Sequence, residues 1–275
     1  MKHLQTYSIF ESKTVLTEDQ ETFLSLFVES LENSKGMPGT WSVNPKTGLV
    51  DVNGNFECPQ RGLKDFKGIS FGHVSGAFDC DRNELVSLKG APQLVRDFSC
   101  DRNDLVSLEG APQFVRGGFY CNTNRLKNLK GGPVEVGGDF SCVGNDLKTL
   151  EGSPRTVGGD FYCYSNSTSL ISLAGAPETI GGTFHCDWFE LSNWGVPGLL
   201  ETIKKVNPKA QKMILDLLTP EKIQQTIDRE PEKMAVELKG VWKTLKADPK
   251  YAGLKFPEGI QGDAEMLSDL DDVGL

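Results

Sequence analysis

Apolar and polar positions along the chain recur as one phrase, Phe-x-Cys-x-x-Asn-x-Leu-x-x-Leu-x-Gly-x-Pro-x-x-Val, which runs most cleanly from Phe98 to Val115. Its Phe stands at Phe56, Phe78, Phe98, Phe119, Phe140, Phe161 and Phe184, followed two residues later by Cys58, Cys80, Cys100, Cys121, Cys142, Cys163 or Cys186. Spacings of 20 to 23 residues between successive cysteines predict a solenoid, because one such unit cannot bury its apolar face alone and must stack on its neighbours. Phe and Cys two apart point to one face of a short strand. The residues before, between and after them point to the other. The Asn three after Cys (Asn83, Asn103, Asn124, Asn145, Asn166) falls where the chain leaves the strand, and its amide can satisfy backbone groups of adjacent turns. Leu pairs such as Leu105 and Leu108 then pack inward. The Gly and Pro of each return predict an extended or polyproline-like convex side rather than a helical one.

The flanks depart from the phrase. Thr17 to Gln20 has the form of a capping box ahead of Phe23, Leu24, Phe27 and Leu31, which predicts a helix lying over the open end and stopping at Asn33 to Gly36. Trp41–Val43 and Leu49–Val52 alternate around Asn44-Pro45-Lys46-Thr47-Gly48, predicting a β-hairpin that shields the first rung's edge. Arg61 takes the Asn slot of the first unit, two extra residues separate Asn166 from Leu170, and the last unit carries Trp188, Phe189 and Trp194. Further on, Asn207-Pro208, Thr219-Pro220 and Glu230-Pro231 each place Pro at a first helical position, predicting three short helices that close the solenoid. The expected organisation is a cap at 1–52, a solenoid at 53–198, a helical cap at 199–262 and an acidic tail at 263–275, either disordered or a docking motif.

The unit resembles a leucine-rich repeat, L-x-x-L-x-L-x-x-N/C-x-L, with Phe and Cys in two of the Leu slots, over residues 53–198. The short period and the Asn-x-Leu-x-Ser-Leu-x-Gly-x-Pro phrase, at Asn83 to Pro92 and Asn103 to Pro112, are similar to the short repeats of secreted bacterial effectors. The Gly-Gly-Asp-Phe-x-Cys form at Gly137 and Gly158 is similar to repeats in uncharacterised tailed-bacteriophage proteins. The resemblance implies an α+β fold: a leucine-rich-repeat solenoid with a curved parallel β-sheet of about seven rungs and a concave face that binds protein.

Charge and chemistry narrow the function. The chain of 275 residues has a formal charge of −9, and residues 53–194 hold 17 acids against 13 bases, so no segment offers the basic surface that nucleic acid requires. Neither an apolar run of membrane-spanning length nor a secretory h-region is present, and the expectation is a cytoplasmic protein without a membrane partner. All seven Cys occupy one slot of the repeat, an odd number without a CxxC pair, which points to inert core thiols in a reducing compartment rather than disulfides or zinc. His3, His73 and His185 have no metal-ligand spacing, and no P-loop, dinucleotide or zincin motif occurs. No catalytic residue, metal or cofactor is therefore assigned. Some effectors with similar repeats carry a cysteine-dependent ubiquitin ligase domain, but no Cys follows Cys186.

The surface remains. Outward strand positions hold Glu57, Asp79, Asp81, Asp97, Asp101, Asp139, Asp160 and Asp187, and no Lys or Arg. Stacked like charges disfavour the fold, and Tyr120, Tyr162, Tyr164 and His185 gather toward the C-terminal half, where exposed Tyr suits a protein interface. The expected binding residues are Asp79, Asp97, Tyr120, Asp139, Asp160, Tyr162, Tyr164 and His185, meeting a basic protein partner. Three other readings stay open at this point: Asp residues that merely suit strand ends, a structural or accessory virion protein, and an effector with an activity in its C-terminal helices.

Overall fold

The computed structural model describes residues 15–29, 39–166, 170, 173–186, 218–238 and 242–256. Their elements are α1 (Glu18–Phe27), β1 (Val28–Glu29), β2 (Thr40–Val43), β3 (Val50–Asn53), β4 (Asn55–Glu57), β5 (Phe71–Asp79), β6 (Leu94–Ser99), β7 (Phe114–Val115) and β8 (Phe119–Tyr120). There follow β9 (Glu135–Val136), β10 (Phe140–Ser141), β11 (Thr156–Val157), β12 (Phe161–Tyr162), β13 (Thr179–Ile180), β14 (Phe184–His185), then α2 (Pro220–Arg229), α3 (Pro231–Glu237) and α4 (Trp242–Ala247).

The strands form a parallel β-solenoid of about six turns. One ladder pairs Phe56, Phe78, Phe98, Phe119, Phe140, Phe161 and Phe184, each in register with the next. A second ladder, on the return leg, pairs Val74, Val95, Val115, Val136, Val157 and Ile180 in the same way. Strands β5 and β6 run through both ladders, whereas later turns break at a corner such as Gly137-Gly138 or Gly158-Gly159. The extended convex side expected from Gly and Pro is therefore only part of the return. The Val that ends each phrase builds a sheet of its own.

Stacking of turns buries what the repeat predicts. From Phe78 to Phe184 the rings lie 5.3–5.5 Å apart and within 2–10° of parallel; each buried Phe is worth about 1.5–3 kcal/mol. Leu85, Leu88, Leu105, Leu108, Leu126, Leu129, Leu147 and Leu150 are fully buried beside them. All seven cysteines are free and buried. Burial pushes the Cys58 thiol up to about 12 and those of Cys80, Cys100 and Cys121 well above the usual range. The S–H groups of Cys80, Cys100, Cys121 and Cys142 donate across to the next turn, Cys80 to the Ser99 carbonyl at 3.2 Å.

At the N-terminal end the capping box forms between Thr17 and Gln20, and Phe23 and Leu24 are buried, with the Phe23 ring 5.7 Å from Phe56. Helix α1 stops at Phe27, earlier than expected, because β1 takes over and pairs antiparallel with β4. Leu31 and Asn33 to Gly36 lie outside the described residues. The hairpin forms as β2 and β3, with Gly48 at φ 72° in its turn, but β3 joins β5 on the Val ladder. The first Phe rung is thus covered by α1 and β1, not by the hairpin.

Toward the C-terminus, Thr219 caps α2 through its side chain, and Ile223, Ile227, Met234, Leu238, Trp242, Leu245 and Tyr251 are buried, while Val236 is 64% exposed. The Tyr251 hydroxyl donates to the Leu218 carbonyl at 2.7 Å. Trp188, Phe189, Trp194, Asn207-Pro208, the acidic tail and the join between these helices and the solenoid lie outside the described residues.

Candidate functional site

The outward face of the Phe ladder is held by its corners. One residue per turn, two after Cys, adopts a left-handed backbone: Gln60, Arg82, Arg102, Thr123 and Ser165 at φ 53–57°, and Gly144 at 69°. The following Asn locks that corner. Asn124 donates through Nδ2 to the carbonyls of Cys100, Cys121 and Asn122 at 3.0–3.2 Å, and its Oδ1 accepts the Leu105 N–H at 3.1 Å. Asn83, Asn103, Asn145 and Asn166 do the same, all buried. Asn166, beside the insertion, is 1% exposed, so the extra residues have not loosened it.

Many of the outward acids turn out to serve the backbone. Because the regular strands of the later turns are only two residues long, flanking N–H groups lack a ladder carbonyl, and carboxylates of the preceding turn accept them. Asp97 Oδ1 takes the Gly118 N–H at 2.9 Å, Asp139 the Asp160 N–H at 2.8 Å, and Asp160 the Thr183 N–H at 2.6 Å. On the other side of the strand, Asp81 takes Asp101 N–H at 2.7 Å, Asp101 takes Asn122 N–H at 2.6 Å, and Asn122 takes Val143 N–H at 2.8 Å. Burial, with Asp79 and Asp101 nearby, raises Asp81 to about 6 despite the hydroxyl of Ser99. Asp101 is likewise raised by burial. Asp97 is also paired with the Arg96 guanidinium at 2.7 Å, and Asp79 accepts the Asp81 N–H at 2.9 Å.

Across the strands the central outward positions line up as Glu57, Asp79, Ser99, Tyr120, Ser141, Tyr162 and His185. Tyr162 and His185 stack at 4.5 Å and 5°, and Tyr164 meets Tyr162 edge-on at 6.4 Å. The Tyr162 hydroxyl donates to Asp160 Oδ2 at 2.8 Å, and His185 Nε2 lies 3.7 Å from the same oxygen. That bond raises Tyr162 to about 12. The Thr183 N–H, the Tyr162 hydroxyl and His185 together hold Asp160 below the usual carboxylate range. The structure therefore brings Asp139, Asp160, Tyr162, Tyr164 and His185 into one cluster, with Tyr120 and Asp97 at its edge. Asp79 lies four strands away from Tyr162 along the ladder, and Asp187 falls outside the described residues. Ser141, not singled out by sequence, is the floor between Tyr120 and Tyr162, and only 6% exposed. Its mark in the sequence is a small residue between two Tyr of the same column, in which Ser99 is the other small one.

A second surface was not foreseen. On the return leg a groove of about 900 Å³ is lined by Phe71, Pro92, Gly110, Ala111 and Phe114, the last 52% exposed. Its signal was Phe114, a large apolar residue one place before the Val column. Among the described residues no three His, Cys, Asp or Glu side chains converge so as to hold a metal ion, and no helix is long and apolar enough to cross a membrane. No family model, curated protein or solved structure matches the chain.

Proposed function

We propose that the chain is a non-enzymatic leucine-rich-repeat protein of seven rungs, phage-encoded and acting in the host cytoplasm, whose acidic, tyrosine-bearing concave face binds a basic surface on a partner protein. The observation that carries this reading is the cluster of Tyr162, Tyr164 and His185 around Asp160. Rings held by stacking and by a carboxylate lose little freedom on binding, and such anchors supply affinity out of proportion to their area. The absence of Lys and Arg from the outward strand positions supports a cationic partner, whose approach the acids would steer. Those same acids cap the backbone, so only part of the negative surface is available for recognition, and the aromatic cluster has to carry most of the affinity.

The test is capture from the native host by wild type, by Tyr162→Ala with Tyr164→Ala, and by a chain lacking residues 263–275. The tyrosine variant should lose proteins that wild type and the tail deletion retain, and capture should weaken with added salt. Loss on tail deletion alone would transfer recognition to the acidic tail and leave the solenoid a scaffold. Peptide mapping of purified particles tests the rival role as a virion component.

A further inference from the structure

From Tyr120 to His185 the column of central outward positions carries rings with one gap among them. Tyr120 and Tyr162 are each in register with Ser141, which lies between them. Both rings lean the same way, over the residue two before them on their own strand: the Tyr120 ring covers the bare Gly118, and Tyr162 reaches Asp160. Two strand spacings put their backbones about 10 Å apart. A group midway would lie about 5 Å from each ring, inside the roughly 6 Å reach of a cation–π contact. Where no gap exists, at Tyr162 and His185, neighbouring rings stack at 4.5 Å. Asp139 stands at the end of this slot. Its Oδ1 accepts the Asp160 N–H, leaving Oδ2 without a protein partner among the described residues, and both tyrosine hydroxyls feel its charge.

We propose that this slot is an arginine-reading site: a guanidinium of the partner inserts between Tyr120 and Tyr162 above Ser141 and takes the Asp139 carboxylate in its fork. The inference rests on the proposed binding of a basic partner and names the residue that the face selects. Aromatic rings on either side suit a flat, weakly hydrated ion, whereas an ammonium keeps its water and offers no plane to stack. The carboxylates exclude a phosphate-bearing base from the same slot, and a neutral ring would leave Asp139 unpaired.

The experiment compares two capped peptides of equal charge, (Gly-Arg)4 and (Gly-Lys)4, by calorimetry and tyrosine fluorescence at low salt. Wild type should bind the arginine peptide about tenfold more tightly than the lysine peptide, with a fluorescence change seen only for arginine. Ser141→Tyr fills the slot with a ring that this column already accommodates on either side. It should reduce the arginine peptide to the level of the lysine peptide without altering charge. Should that variant melt far below wild type, Tyr120→Leu removes one wall and must shrink the preference in the same way. Equal binding of both peptides to wild type, or a preference that survives Ser141→Tyr and Tyr120→Leu, overturns the slot while leaving the acidic face as a binder. Binding of neither peptide overturns the function proposed above as well.

Discussion

Replacing Asn124 with Ala removes three donations and one acceptance in a buried corner and strands the Leu105 N–H. A buried group left unpaired costs about 1–3 kcal/mol, so Asn124→Ala and Asn145→Ala should each lower stability by that amount in urea unfolding. Asn166→Ala should cost as much, since its amide is equally enclosed and makes the same set of bonds. Asp81 gives a pH signature of the opposite kind from most carboxylates. Its folded value of about 6 stands above the usual 3.8, so its contribution is complete below pH 4 and is lost as pH rises through 6. Asn122 accepts the same backbone bond in a later turn without a charge. Asp81→Asn should therefore stabilise the protein at pH 7 and flatten the decline between pH 4 and 6 in melts followed across that range. A wild-type melting temperature that rises over the same interval would contradict this assignment.

At the scale of elements, the corners decide how closely turns can stack. A Cβ at Gly137 would collide with the Arg116 carbonyl, and one at Gly110 would lie 2.6 Å from the Leu88 carbonyl oxygen. Gly144 is different: its nearest neighbour would be Thr123 Oγ1 at 3.4 Å, and its column already holds Gln, Arg, Thr and Ser. Gly137→Ala should cost at least about 1–3 kcal/mol, whereas Gly144→Asn should be near neutral, both read from urea midpoints. The Phe ladder was legible because Phe and Cys recur together at a fixed spacing. The Val ladder was not, because strands of two residues are too short to show an alternating pattern. The acids were only half legible. An Asp that caps the next turn's N–H and an Asp that faces a partner look alike in sequence, and only the placement of Asp97, Asp139 and Asp160 over the following strand separates them.

The solenoid is quasi-one-dimensional, each turn touching the ones before and after it. Losses at distant turns should then add: Asn103→Ala with Asn166→Ala should equal the sum of the single changes within about 0.5 kcal/mol. Asn124 and Asn145 both bind the Cys121 carbonyl, and a double-mutant cycle on that pair should show coupling of about 0.5 kcal/mol or more. Each Asn reaches backward, to the Cys carbonyl of the turn already laid down, as Asn83 does to Cys58 and Asn145 to Cys121. A chain emerging from the ribosome meets this arrangement in time as well as in space. A turn is finished only when the next one arrives to lock its corner, so a chain stalled mid-repeat carries one open tooth.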